Sequence, residues 1–316
     1  MQSKWFGLIV VFLSLLSVNL SSVQISWDRI KDLIVSHFHL MPASNTLHHL
    51  INPSISEMPT IQHYKKVILF GDSQFERSWR PDLDFAFAAA LANYYTRRAD
   101  VLNRGLSGYS TKWLRPQFER IIQELSYGPP DNALLFVIWL GTNDCCIEGT
   151  PHRVPIEEFQ SSLREYVSEI RTKFPAAGII LITPAPVSIS KMRQSTMRSK
   201  GADRTQLAHK QYAEAVMNCQ FADDGGMIKR ANLFDAVMNA AGYANTDTNS
   251  VLVGPPATDE EQNIGRFTID GLHLNGDGYK ILYSLVTKIT SQWEGFDPLK
   301  LEGVEPGWQV PAALQS

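Results

Sequence analysis

From Lys65 onward the chain alternates between short apolar runs and longer amphipathic stretches. The run "KKVILF" (65–70) is β-branched and aromatic, has strand length and ends at Gly71, so it predicts a strand. "DFAFAAALANYYTRRA" (84–99) carries Phe85, Ala89 and Tyr95 among strong helix formers with no internal Gly or Pro, and predicts a helix. "DVLNRG" (100–105) predicts a short second strand. A second helix fits "WLRPQFERIIQEL" (113–125), where Phe118, Ile121, Ile122 and Leu125 recur at helical spacing. The next run, "ALLFVIWL" (133–140), is apolar throughout, which suits a strand covered on both faces of a parallel sheet.

The alternation then repeats. "PIEEFQSSLREYVSEIRTKF" (155–174) opens on Pro155 and two glutamates, residues favoured in the first turn of a helix. "GIILITP" (178–184) is another apolar run, and "TQLAHKQYAEAVMNCQ" (205–220) predicts a helix with Leu207, Tyr212, Ala215, Val216 and Cys219 on one face. The last element, "DGYKILYSLVTKITSQW" (277–293), has a stripe of Leu282, Leu285, Val286, Ile289 and Trp293. Strands separated by helices read as right-handed βαβ units, hence one α/β domain with a mainly parallel sheet and helices on both faces. Two stretches interrupt the pattern: the basic, apolar-poor 187–204 and the turn-rich 245–265. Both read as surface loops, with the alternative that one of them borders a substrate pocket.

Composition adds bounds. A chain of 316 residues, 44% hydrophobic and 19% charged, can bury a full core. A formal charge of −3 and a pI near 6.2 give no electrostatic footprint for nucleic acid or an anionic membrane. Cys145, Cys146 and Cys219 are odd in number, and the adjacent pair suits free thiols better than a disulfide framework. No zinc-type Cys/His spacing occurs. Residues 1–57 read as an N-terminal extension, 58–295 as the domain and 296–316 as a C-terminal tail. Within the extension, Lys4 and the apolar run from Trp5 to Leu16 fit a signal peptide over 1–22, although no clear small-x-small cleavage site follows. Met58, just before the first strand, offers an internal start instead. The cysteines and the lack of an Asn-x-Ser/Thr acceptor after Ser22 favour the cytoplasm for the domain, with secretion through residues 1–22 as the alternative.

In open α/β sheets, ligands bind outside the carboxyl ends of the strands. Three polar clusters fall there: "GDS" with Ser73, "GLSGYS" with Gly108 and "GTND" with Asn143. A fourth, "DGLHL" (270–274), precedes the last helix. Asp270 and His273 are three residues apart around Gly271, a spacing that in a turn lets the carboxylate orient the imidazole and stabilise its protonated form. Attack by Ser73 on an ester carbonyl builds charge on oxygen, for which Gly108 offers a bare backbone N–H and Asn143 a side-chain amide. Each cluster taken alone reads as an ordinary turn. Asp72 and Asp144 read as backbone braces with no proton to move.

All four clusters in one chain, in this order, resemble the serine, glycine, asparagine and histidine blocks of the SGNH hydrolases, also called the GDSL esterase/lipase family. The resemblance runs from Lys65 to about Trp293. Within it, "FAAALANYYTRRADVLNRGLSGYSTKW" (87–113) is similar to the isoamyl acetate-hydrolysing esterase branch. The resemblance implies a flavodoxin-like, three-layer α/β/α sandwich and hydrolysis of small esters such as acetates of alcohols. It implies Ser73 as nucleophile, His273 as base, Asp270 as its orienting carboxylate, and the N–H groups of Ser73 and Gly108 with the Asn143 amide as oxyanion hole. No metal or organic cofactor is implied. The expected partner is a small-molecule ester, with no nucleic acid and no stable membrane association beyond the N-terminal segment. Cys145 and Cys146 after "GTND", and the two long polar loops, depart from the pattern and bear on acyl and alcohol preference. A carbohydrate acetyl esterase or deacetylase using the same site, and a non-catalytic binding protein on the same fold, are the alternatives.

Overall fold

Five parallel strands, β1 (Lys65–Gly71), β2 (Ala99–Gly105), β3 (Ala133–Trp139), β4 (Gly178–Ile182) and β5 (Ile228–Ala231), form one sheet in the order β2-β1-β3-β4-β5. The protein is seen here as a computed structural model that describes residues 63–129, 131–195, 203–222, 225–243 and 263–301, all within one compact unit, Gln62–Ser316. The N-terminal extension, including the candidate signal segment and Met58, lies outside the described residues.

Alternate residues of the strands feed two separate cores, as the two-residue period of a strand requires. Val67, Leu69, Leu135, Val137, Trp139, Ile180 and Ile182 face one layer, built from α2 (Phe87–Tyr94), α7 (Leu233–Ala240) and α8 (Gly276–Ser291). Ile68, Phe70, Phe136, Ile138, Ile179 and Leu181 face the other, built from α3 (Thr111–Ser126), α4 (Ile156–Lys173) and α6 (Gln206–Asn218). The sheet is therefore the middle layer of a three-layer α/β/α sandwich. Every residue of β3 is buried, in keeping with its unbroken apolar run.

Several details depart from the sequence reading. The first helix is shorter than 84–99: Ala86 is still extended, and after Tyr94 the chain must reverse into β2, with Arg97 at φ 62° in the left-handed region. Its buried face is Phe87, Ala88 and Leu91, while Ala89 is exposed. On α6, Gln206, His209, Tyr212, Ala213 and Val216 keep the buried phase, which leaves Leu207 40% exposed. The pattern also missed β5 and α7. The β5 sequence "IKRA" puts two half-buried cations mid-strand, as edge strands do, and so carries no apolar signature.

The stretch 187–204 is not a plain surface loop. Its start holds a short helix, α5 (Ile189–Gln194), whose Met192 packs with buried Val187 and Leu272. Its end holds Arg204, only 3% exposed. Most of 245–265 lies outside the described residues, although Ile264 at its close is fully buried. Among the described residues no helix is long and apolar enough to cross a membrane.

Candidate active site

The strand order brings three of the four blocks together. β1 lies between β2 and β3, and its last residue Gly71 pairs with Gly105 on one side and Trp139 on the other. The chain leaves all three strands at the same edge, two residues before Ser73, three before Gly108 and four before Asn143. The helices change face between the β1–β2 and β2–β3 connections, so this edge is the topological switch point where such sheets open a crevice. Ser73 is the first residue of α1 (Ser73–Glu76), capped by the Asp72 carboxylate, which accepts from the Gln74 N–H at 2.9 Å. Phe75 anchors the turn: it is fully buried, edge-on to Trp139 and stacked with Phe87.

The fourth block reaches the same place from the turn before α8, with Asn275 as that helix's cap. His273 Nε2 lies 2.9 Å from Ser73 Oγ, and its Nδ1 lies 2.7 Å from Asp270 Oδ2. All three are buried, at 5%, 5% and 8% exposure for Ser73, His273 and Asp270. The other Asp270 oxygen accepts the backbone N–H groups of Leu272 and His273 at 3.0 and 2.8 Å. Burial alone would raise the Asp270 carboxyl, but the His273 ring and these two N–H groups outweigh it and hold it well below the usual carboxylate range. An ionised carboxylate only accepts, so it fixes the ring proton on Nδ1 and leaves Nε2 to accept from the Ser73 hydroxyl. Gly271 makes the turn possible, since it sits at φ 87° and a Cβ there would come within 2.4 Å of Ser188 O.

Two residues that sequence reasoning passed over hold this turn. Gln74, 1% exposed, donates from Nε2 to Leu272 O at 2.9 Å and accepts the Leu274 N–H at 3.3 Å, so its amide grips both neighbours of His273. Its own carbonyl accepts the buried Tyr279 hydroxyl at 2.6 Å. From the other side, Lys191 on α5 donates to Gly265 O and Thr268 O at 2.9 and 2.7 Å, and the Ser188 N–H bonds Gly271 O at 2.8 Å. Apart from the place of Gln74 beside Ser73, nothing in the sequence marks either residue.

Gly108 sits at φ 81°, a left-handed conformation that favours glycine, with open space where a Cβ would be. Its neighbours tie it to the other blocks: Ser107 donates from N and Oγ to Glu76 of α1 at 2.7 and 2.6 Å, and Tyr109 O accepts from Asn143 Nδ2 at 2.9 Å. Asn143 is 4% exposed and accepts at Oδ1 from Arg204 Nη2 at 2.7 Å. Asp72 and Asp144 are both fully buried. Asp144 braces the entry to α3 by accepting from Thr111 N at 2.9 Å and from its hydroxyl. Burial pushes the Asp72 carboxyl up to about 7 against the pull of the Gln74 N–H, with the Asp144 charge adding to the rise. Asp144 itself is pushed up to about 6 by burial against its Thr111 bonds. Cys145 and Cys146, which follow the block, are fully buried, and burial pushes the Cys145 thiol well up.

The arrangement sets a hydroxyl against an imidazole that a carboxylate orients, a geometry able to serve acyl transfer. Residues 69–281 match the GDSL-like Lipase/Acylhydrolase family. The chain belongs to that family and is a carboxylic ester hydrolase. It is 30% identical over 227 residues to the isoamyl acetate-hydrolyzing esterase 1 homolog of Bos taurus, covering 70% of this chain and 79% of the relative. To the isoamyl acetate-hydrolyzing esterase of Saccharomyces cerevisiae it is 29% identical over 236 residues, covering 72% and 86%. A GDSL esterase/lipase of Arabidopsis thaliana is 36% identical over 127 residues, 39% of this chain and 51% of that protein, so the chain spans about half of this relative. The fold also matches the crystal structure of an acetyl xylan esterase, AlAXEase, with TM-score 0.51 and 16% identity over 71% of this chain and 98% of that one.

Proposed function

We propose that the protein is a serine esterase that hydrolyses small carboxylic esters, acetates of alcohols foremost, through an acyl-enzyme. The observation that carries the reading is the buried relay from Asp270 to His273 to Ser73, with contacts of 2.7 and 2.9 Å. Ser73 Oγ attacks the ester carbonyl as His273 Nε2 takes its proton, and Asp270 stabilises the imidazolium that forms. The backbone N–H groups of Ser73 and Gly108 and the remaining amide hydrogen of Asn143 receive the oxyanion. His273 then returns the proton to the leaving alcohol. A water deprotonated by the same nitrogen cleaves the acyl-enzyme and restores Ser73.

Support for small, apolar esters comes from the segments around the blocks. Trp79, Trp113, Ile147 and Ile269 are 41–45% exposed, large apolar side chains on the segments that carry Ser73, Gly108, Asn143 and Asp270. Water-exposed apolar side chains on these segments are read as support for an apolar ligand. Likeness to the yeast isoamyl acetate-hydrolyzing esterase and to the bovine homolog named after such an esterase supports the same reading. A carbohydrate acetyl esterase using the same site is the competing reading. Rates on isoamyl acetate, on p-nitrophenyl esters of rising chain length and on acetylated xylan separate the two. Turnover of short alkyl acetates with little on xylan is expected; turnover of the polysaccharide alone would overturn the small-ester reading.

A further inference from the structure

We infer that Arg204 is a positioning residue that fixes the orientation of the Asn143 amide and so makes it an oxyanion donor. The inference rests on the reading of Asn143 given above. A side-chain amide has two ends of nearly equal shape, and only the NH₂ end stabilises an oxyanion. Something must therefore decide which end faces the serine. In this protein both ends are decided by their partners. The Arg204 guanidinium carries donors only, so the end it touches at 2.7 Å must be the carbonyl Oδ1. Tyr109 O is an acceptor only, so the end it touches at 2.9 Å must be Nδ2. One Nδ2 hydrogen is spent on Tyr109 and the second remains for the substrate oxygen.

Arg204 is built for this task. It is 3% exposed, its Nε donates to Thr142 O at 2.8 Å, and its Nη1 pairs with Asp203 at 2.6 Å. The planar fork thus holds the backbone of residue 142 and the side chain of residue 143 in one rigid geometry, which a lysine ammonium does not reproduce. Asp203 in turn is fixed to the chain beyond the asparagine block, its carbonyl accepting the Ile147 N–H at 2.8 Å. A cationic donor on Oδ1 also polarises the amide and strengthens its N–H as a donor. The charge reaches its surroundings as well: burial raises the proton affinity of Asp72 and Cys145, and the Arg204 charge pulls against that rise at both.

A double-mutant cycle on kcat tests the inference. Asn143→Ala is expected to lower kcat by about 10² to 10³. Arg204→Gln should lower kcat about 10- to 10²-fold with KM changed by less than about 2-fold, because an interaction made only in the transition state is lost. In the Asn143→Ala background the same Arg204→Gln change should lower kcat by less than about 3-fold, since both act through one amide. Arg204→Lys should recover part of the loss, and it carries the same cycle if the glutamine variant does not fold. Equal losses from the Arg204 change in both backgrounds would make its role purely structural and overturn the inference. An unchanged kcat in Asn143→Ala alone would instead overturn the oxyanion reading beneath it, and fluorophosphonate labelling of Ser73 would still report whether the nucleophile stands.

Discussion

Ser73, Gly108 and Asn143 leave the ends of three adjacent strands, whereas Asp270 and His273 hang on a turn that no strand carries. The first three are placed by the sheet itself. Their connections from the strands are two to four residues long, and the register that pairs Gly71 with Gly105 and Trp139 sets where they emerge. The fourth block sits on a turn before a capped helix, closed by its own bonds from Ile269 N–H to His273 O and Asn275 N–H to Phe267 O. A few bonds from outside then place it: the Gln74 amide from the serine side, and the Lys191 ammonium and the Ser188 backbone N–H on the other. A position inherited from a sheet is insensitive to any one side chain. A position held by a few hydrogen bonds is not, and the two halves of the site should differ in this when they are perturbed.

Substitutions that touch the chemistry itself come first. Asp270→Asn removes the acceptor that keeps the His273 proton on Nδ1, and should lower kcat by about 10⁴ with the fold intact, as measured by steady-state kinetics beside a thermal melt. An undiminished rate would mean that another group orients the imidazole. Gln74→Met, of similar volume, removes both bonds to Leu272 and Leu274 and should lower kcat by up to about 10² through a shift of His273 relative to Ser73. On the sheet side, Ser107→Ala removes only the hydroxyl bond to Glu76 and leaves the backbone one, so kcat should change by less than about 3-fold. If the Gln74 and Ser107 substitutions had equal effects, the contrast between the two halves would fail.

The smallest effect expected is on stability. Asp72 and Asp144 hold their protons to about 7 and about 6 in the folded protein, against 3.8 for the ordinary carboxyl. The folded state then binds more protons than the unfolded one between about pH 4 and 7, so their contribution is full below pH 4 and is lost as pH rises through this window. Asp270 works in the opposite sense, since its stabilisation is present above 3.8 and lost only at more acid pH. Asp72→Asn should therefore flatten the fall in Tm between pH 4 and 7 relative to the parent protein. An identical slope in the two proteins would exclude a proton held on Asp72.

What was legible in the sequence follows the same division. Strands buried on both faces write continuous apolar runs, so β1, β3 and β4 and the blocks that follow them could be read directly. The edge strand β5, with Lys229 and Arg230 at its centre, writes no such run and was missed. Ser73, Gly108, Asn143, Asp270 and His273 stood out because four turn-like clusters appeared in one order. Gln74 and Arg204 did not, because their work lies in which atoms they face across 198 and 61 residues of chain. A glutamine beside a serine, or an arginine at the end of a basic stretch, has no local periodicity to betray a buried bond. The stretch 187–204 therefore reads as a surface loop or the border of a substrate pocket, whereas its two described ends brace opposite halves of the site.

The central claim is that Ser73 is a nucleophile activated by His273. Reaction of the folded protein with a fluorophosphonate probe, followed by mass spectrometry of the peptides, tests it most directly. The account predicts one adduct per chain, on Ser73, absent from Ser73→Ala and strongly slowed in His273→Ala. Folded protein that turns over esters while Ser73 stays unlabelled would contradict it.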